Sequence, residues 1–371
     1  GLYLGVSCKE FHGIYFMKIL IIKFRNIGDV LLSTPLISNL KYLYSDSTID
    51  IALNKGCEDM VTDNPDINHI VIYDRLRIKK LSIFSQIKEE IKFTRNIRNN
   101  NYDMVINLTE GDRGAQLSLF SGAKIRLGFP VRKGLLSKMK VFDKLGDDQK
   151  WQHTVEKDLQ FINLLGKETI DKKVKIYWSE KIENEIDKIL IENNVKQFVH
   201  IHPVSRWMFK CWEDDRMAKV IDYIQQNKGL KVIITGAPVD KELNRIDQIL
   251  ALCKTKPINL SGKLTLKHLA CLSEKAKLFF GVDTAPMHMA AATNTPVITL
   301  FGASYPVIWG PWNNNSGNKP FQDIDGSQFN GLHYMASNMN HQILYENEVK
   351  KSKGMILIDF EQAKKIINVL V

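Results

Sequence analysis

The sequence contains no run approaching the roughly 20 consecutive apolar residues that a membrane-spanning helix requires. Its five cysteines, Cys8, Cys57, Cys211, Cys253 and Cys271, are odd in number, scattered and free of any CxxC pair. That spacing supports neither a disulfide framework nor a zinc site, and leaves free thiols as the reading. The glycine pattern GxGxxG is absent, as is GxxxxGK[ST], so the dinucleotide-binding and P-loop fingerprints are missing. No GxSxG elbow, HExxH helix or carboxylate cluster occurs, which removes the usual signs of a serine hydrolase or a catalytic metal. Basic residues do not interleave with aromatics as a nucleic-acid platform demands.

What is present is the composition of a soluble globular chain with a large core, 44% hydrophobic and 25% charged. A length of 371 residues suits two domains of middling size. The first sixteen residues are interrupted by Lys9, Glu10 and His12, unlike a signal peptide, and read as a leader or tag outside the fold. The net charge of +10 is concentrated. Arg75–Arg98 holds eight basic and two acidic residues, and Lys124–Lys144 seven basic and one acidic, so these two stretches exceed the whole surplus. An anionic partner for the N-terminal half follows, or else a merely solvated basic face.

Short β-rich runs alternate with helical patterns. Lys18–Phe24, Ile49–Leu53, Ile70–Tyr73, Met104–Leu108 and Ile125–Phe129 read as strands, with a helical pattern over Val30–Leu40. A polar stretch, Gly166–Lys175, reads as a linker, after which strands resume at Phe198–His202, Lys231–Thr235, Leu278–Phe280 and Pro296–Leu300. The alternation predicts parallel sheets with crossover helices in two α/β halves. Phe360–Val371 reads as a closing amphipathic helix, and Gly310–Gly331 as loop-rich.

Three turns follow strands and carry chemistry. In Lys23–Val30, Gly28 permits close backbone approach, and Asp29 is either a helix cap or a general base at a cleft edge. In His200–Trp212, Ser205, Arg206 and Lys210 place hydroxyl and cationic donors in one loop, the equipment for a diphosphate. His200 and His202 there lack a third ligand, so packing is their expected role. In Leu278–Ala290, Asp283 and Thr284 stand at an expected helix start, with Ala285 and Pro286 opening it and His288 one turn in. Free N–H groups there would make an anion site, although Asp283 also suits an ordinary cap.

Together KILIIKFRNIGDVLLSTP, HPVSRWMFKCW and FFGVDTAPMHMAAATNTPVITLFGAS resemble, in order and separation, the heptosyltransferase family of lipopolysaccharide core assembly. FKCW, GVDTAPMH and WGPWNNN are most similar to its heptosyltransferase III branch. The resemblance covers essentially all of Met17–Val371. It implies a GT-B architecture: a Rossmann-like acceptor domain over 17–170, a Rossmann-like nucleotide-sugar domain over 176–358, a central cleft, and a helix over 359–371 crossing back to the first domain. It implies ADP-heptose as donor, a lipopolysaccharide inner-core acceptor, inversion at the anomeric carbon, and neither metal nor cofactor. By motif match Asp29 takes the general-base position and Lys210 the diphosphate position, with Ser205 and Arg206 before it. Asp283, Thr284, Ala285 and His288 fall on the late nucleotide motif, and Leu264 on an apolar position against adenine. Arg206 departs from the threonine of some relatives, and Pro238 stands where a ribose-binding acid is expected, so no residue is assigned to the ribose. The implied setting is cytoplasmic and peripheral at the anionic inner membrane, with no nucleic acid. The alternatives left open are another nucleotide sugar or core position, or a nucleotide-binding relative without activity.

Overall fold

Five of the six residues of Lys18–Lys23 are buried, too many for a strand with one wet face, and the segment becomes the centre of a parallel sheet. The computed structural model describes residues 16–315, 322–324, 327–338 and 340–371; the expected leader therefore lies outside the described residues, apart from Phe16. The first sheet comprises β1 (Lys18–Lys23), β2 (Thr48–Asn54), β3 (His69–Tyr73), β4 (Met104–Asn107), β5 (Ile125–Gly128) and β6 (Lys144–Leu145). All its pairs are parallel, in the order β3-β2-β1-β4-β5-β6.

The second sheet holds β7 (Phe198–His202), β8 (Lys231–Ile234), β9 (Ile258–Asn259), β10 (Leu278–Val282), β11 (Val297–Phe301), β12 (Gln322–Ile324), β13 (Ser327–Phe329) and β14 (Tyr334–Ser337). Its order is β12-β13-β14-β11-β10-β7-β8-β9. Strands β14 to β9 are parallel, and β12 and β13 add an antiparallel edge within the stretch expected to be loop. Both parallel sheets thus repeat the doubly wound order, with reversals between β1 and β4 and between β7 and β10. In such sheets ligands bind outside the carboxyl ends of the strands at the reversal.

The helix expected over Val30–Leu40 is divided. Ser33 ends one helix, Ile27–Leu32, and opens another, Thr34–Leu43, whose Pro35 lacks the N–H that a continuous helix would use. The Gly166–Lys175 stretch has neither helix nor strand, yet it is tied to both halves. The Asn39 Oδ1 accepts from the Ile170 N–H at 2.7 Å, and the Trp312 indole donates to the Lys172 carbonyl at 2.8 Å.

The halves also share apolar contacts. Leu269, Ala270, Met289 and Trp312 are buried in the same cluster as Ile19, Ile21, Leu31 and Leu36. The final helix, Phe360–Leu370, departs from expectation: it packs on the second half, not the first. Ala363, Ile366 and Ile367 are buried with Ile221 and Ile224 of helix Asp214–Asn227 and with Ala336 of β14. The Trp212 indole, 2.9 Å from the Ile358 carbonyl, pins the chain just before this helix, so its apolar face meets the nearest hydrophobic surface.

Candidate functional site

The β1 turn builds one wall. Lys23 is buried at the end of β1 and pairs with Asp158 at 2.8 Å, fixing where the strand stops. Asn26 caps helix Ile27–Leu32, and Asp29, three residues on, accepts from the Asn26 N–H through Oδ2 at 3.3 Å. Its Oδ1 lies 3.5 Å from the Arg25 Nε, and the residue is 5% exposed. Asp29 therefore back-bonds to the cap residue while keeping oxygen directed at a cation.

The loop after β7 forms the opposite wall. Ser205 is buried and its hydroxyl accepts from the Trp207 N–H at 3.2 Å. Arg206 reaches across to the first half, donating to the Asn26 Oδ1 at 3.2 Å, with its guanidinium 5.0 Å from the centre of the Trp207 ring. Lys210 closes a single 3-10 turn, and its Nζ stands 2.6 Å from the Asp283 Oδ2. His200 and His202 point away, bonding to Ser273 and Thr235, which matches their expected packing role. Burial lowers both pKa values, His202 to about 4.

The turn after β10 completes the site. Thr284, not Asp283, is the N-cap of helix Ala285–Ala292, and its hydroxyl makes no cap bond. The capping role considered for Asp283 is thus replaced by its ion pair with Lys210, because the turn places the carboxylate toward the β7 loop. Pro286 sits in the first helical turn. His288 is buried, and its Nδ1 has no hydrogen-bond partner among the described residues. Burial holds its pKa below the usual imidazole value against the opposing pull of Asp283 and Asp29, and nearby Lys210 lowers it further.

Gly28 seats this histidine. A Cβ on Gly28 would lie 3.0 Å from the His288 Cδ2 and 3.8 Å from the Ala285 Cα, so the two helix starts face each other across the halves. The fold therefore brings Asp29, Arg206, Lys210, Asp283, Thr284, Ala285 and His288 to one place. Leu264 is half-buried and packs into two apolar clusters, one shared with the first sheet and one around Phe198 and Leu272.

Several participants were not singled out in the sequence. Arg25 sits four residues before Asp29, a spacing that signals an ion pair, and Asn26 precedes the helix as a cap residue. Asp158 carried no local signal, since its partner Lys23 is distant in the chain. Nor did His153, whose Nε2 meets the Gly310 carbonyl at 2.8 Å and whose ring lies against Trp312.

The architecture is similar to that of a glycosyltransferase family 9 protein from Veillonella parvula, with a TM-score of 0.77 at 21% identity over 96% of this chain and 97% of that one. It is also similar to the Escherichia coli ADP-heptose lipopolysaccharide heptosyltransferase II structure, with a TM-score of 0.71 at 20% identity over 95% and 98%. Two doubly wound halves facing across this site define the class of architecture, GT-B. Residues 91–321 match the model of glycosyltransferase family 9 (heptosyltransferase). Lipopolysaccharide heptosyltransferase 3 of E. coli K12 is 37% identical over 295 residues, spanning 78% of this chain and 83% of that protein. The chain belongs to glycosyltransferase family 9.

Proposed function

We propose that this chain transfers heptose from ADP-heptose to a heptose of the lipopolysaccharide inner core, with inversion and without a metal ion. The observation that carries the reading is the convergence of Asp29 with the Lys210–Asp283 pair and His288 at the facing helix starts. Similarity to lipopolysaccharide heptosyltransferase 3 supports the donor and acceptor classes.

In the proposed mechanism the Asp29 carboxylate takes the proton of an acceptor hydroxyl as that oxygen bonds to the anomeric carbon. The bond from the anomeric carbon to the phosphate oxygen breaks, and ADP leaves with the electron pair. Lys210 meets the growing negative charge, as does the Ala285 N–H that opens helix Ala285–Ala292. Ser205, Arg206 and Thr284 supply further donors beside the diphosphate, Ala285 allows close approach, and Leu264 offers an apolar contact for the base. His288, neutral at pH 7, has an unused ring nitrogen for the donor. Arg25 and the Asn26 N–H hold Asp29 in its orientation.

The domain division at 17–170 and 176–358 is proposed to separate acceptor from donor binding. The enzyme is proposed to work in the cytoplasm, peripheral at the inner membrane where the acceptor is embedded. No helix among the described residues is long and apolar enough to cross a membrane. The test is a donor and acceptor panel. Transfer from ADP-heptose to a heptose-bearing truncated core supports the reading, and failure with heptose alongside turnover of another nucleotide sugar overturns the donor assignment.

A further inference from the structure

Helix Ile83–Asn99 runs for 17 residues yet fully buries only one of them, Ile97. Its opening and the short helix before it, Arg75–Lys79, expose Leu76 at 76%, Ile83 at 73% and Phe84 at 86%, with Ile87 and Ile91 continuing one face at helical spacing. Scattered surface apolar residues are ordinary, but five within sixteen residues on adjoining helices form a ridge. Arg75, Lys79, Lys80, Lys88 and Lys92 surround it, and none of them forms an ion pair among the described residues. The two carboxylates of the helix, Glu89 and Glu90, pair with Arg77 and Arg113, so Leu76 and Phe84 stand in a surplus of cations, which is the pattern of a surface that meets anionic lipid.

The ridge is also well placed. It begins immediately after β3, at the same carboxyl edge of the first sheet from which Asp29 follows β1. Only β2 separates those strands, so their ends lie about 10 Å apart at the usual strand spacing. We infer that Leu76, Ile83 and Phe84 insert into an anionic bilayer while Lys79 and Lys80 contact its head groups, presenting the cleft to an acceptor anchored in that bilayer. The cations favour lipid over a second copy of this chain, because two facing ridges would bring like charges together. This surface rests on the transferase reading for its purpose but not for its existence.

Flotation of the purified chain with vesicles of equal parts phosphatidylglycerol and phosphatidylethanolamine, against pure phosphatidylcholine, tests it. The native chain should float with the anionic vesicles. Leu76→Ser/Ile83→Ser/Phe84→Ser should reduce the bound fraction roughly tenfold or more at raised salt, where charge attraction is screened. Lys79→Glu/Lys80→Glu should reduce it chiefly at low salt. Because all five side chains are exposed, the unfolding midpoint should not move, and transfer to a lipid-free core oligosaccharide should persist in the serine variant while transfer to a vesicle-embedded acceptor falls. Unchanged flotation of the serine variant would overturn the proposal. So would a dimer that this variant dissociates in the absence of any vesicle binding. Flotation without transfer to any acceptor would support the surface while removing the transferase reading.

Discussion

A methyl group on Gly28 would lie 3.0 Å from the Cδ2 of His288, so these two residues set how closely the facing helix starts approach. Gly28→Ala forces the imidazole or one helix to yield by a few tenths of an ångström. Overall stability should change little, since Gly28 lies in a helix where alanine is otherwise favourable. Activity should fall by roughly tenfold or more, because small misplacements of reacting groups are costly. Steady-state transfer alongside a thermal melt checks this, and unchanged kinetics would show that the contact is slack.

Lys210 and Asp283 are coupled at 2.6 Å, and their variants should not be equivalent. Lys210→Ala removes the cation proposed to meet the diphosphate and leaves Asp283 unpaired. ADP affinity should drop roughly tenfold to a hundredfold, in line with the loss of a charge-assisted hydrogen bond. Asp283→Asn keeps the shape and frees Lys210, so ADP affinity should be retained or rise while transfer declines. Calorimetric titration with ADP separates the two.

The buried histidines make stability depend on pH. Burial places His153 and His333 at about 3 and His202 at about 4, all below the ordinary value of 6.5. These groups bind protons more readily when unfolded. Their effect is therefore fully favourable above about pH 6.5 and is lost as pH falls toward the folded values. Each would forfeit up to about 2 kcal/mol between pH 6.5 and 5, at about 1.36 kcal/mol per pH unit. Equilibrium unfolding should show stability falling across that window, with a smaller slope for His333→Gln.

The final helix should stabilise the second half. Ile366 and Ile367 are buried against helix Asp214–Asn227, and replacing either with alanine should cost about 2–4 kcal/mol. Urea unfolding measures it. A cost below about 1 kcal/mol would show that the face is loosely packed.

Much of this was legible in the chain because local pattern and tertiary role agreed. Short apolar runs such as Lys18–Lys23 read as strands and became the centres of parallel sheets, and the turns after β1, β7 and β10 announced themselves by strand-to-helix changes. What escaped was long-range. No spacing links Lys23 to Asp158, or Arg206 to Asn26, since those pairs form only when distant elements pack. The placement of Phe360–Leu370 escaped for the same reason, because its amphipathic pattern declares an apolar face without naming the surface that covers it. Asp283 escaped by ambiguity, as an acid before a helix fits a cap until its lysine partner is seen.

The central claim is that Asp29 removes the acceptor's proton in a reaction that needs no metal. Transfer from ADP-heptose to a heptose-bearing truncated core in EDTA, comparing the native chain with Asp29→Asn, tests it most directly. The account predicts full native turnover, a loss of roughly a hundredfold to ten-thousandfold in the variant, and unchanged ADP affinity. Native activity abolished by EDTA, or a variant as active as the native chain, would contradict it.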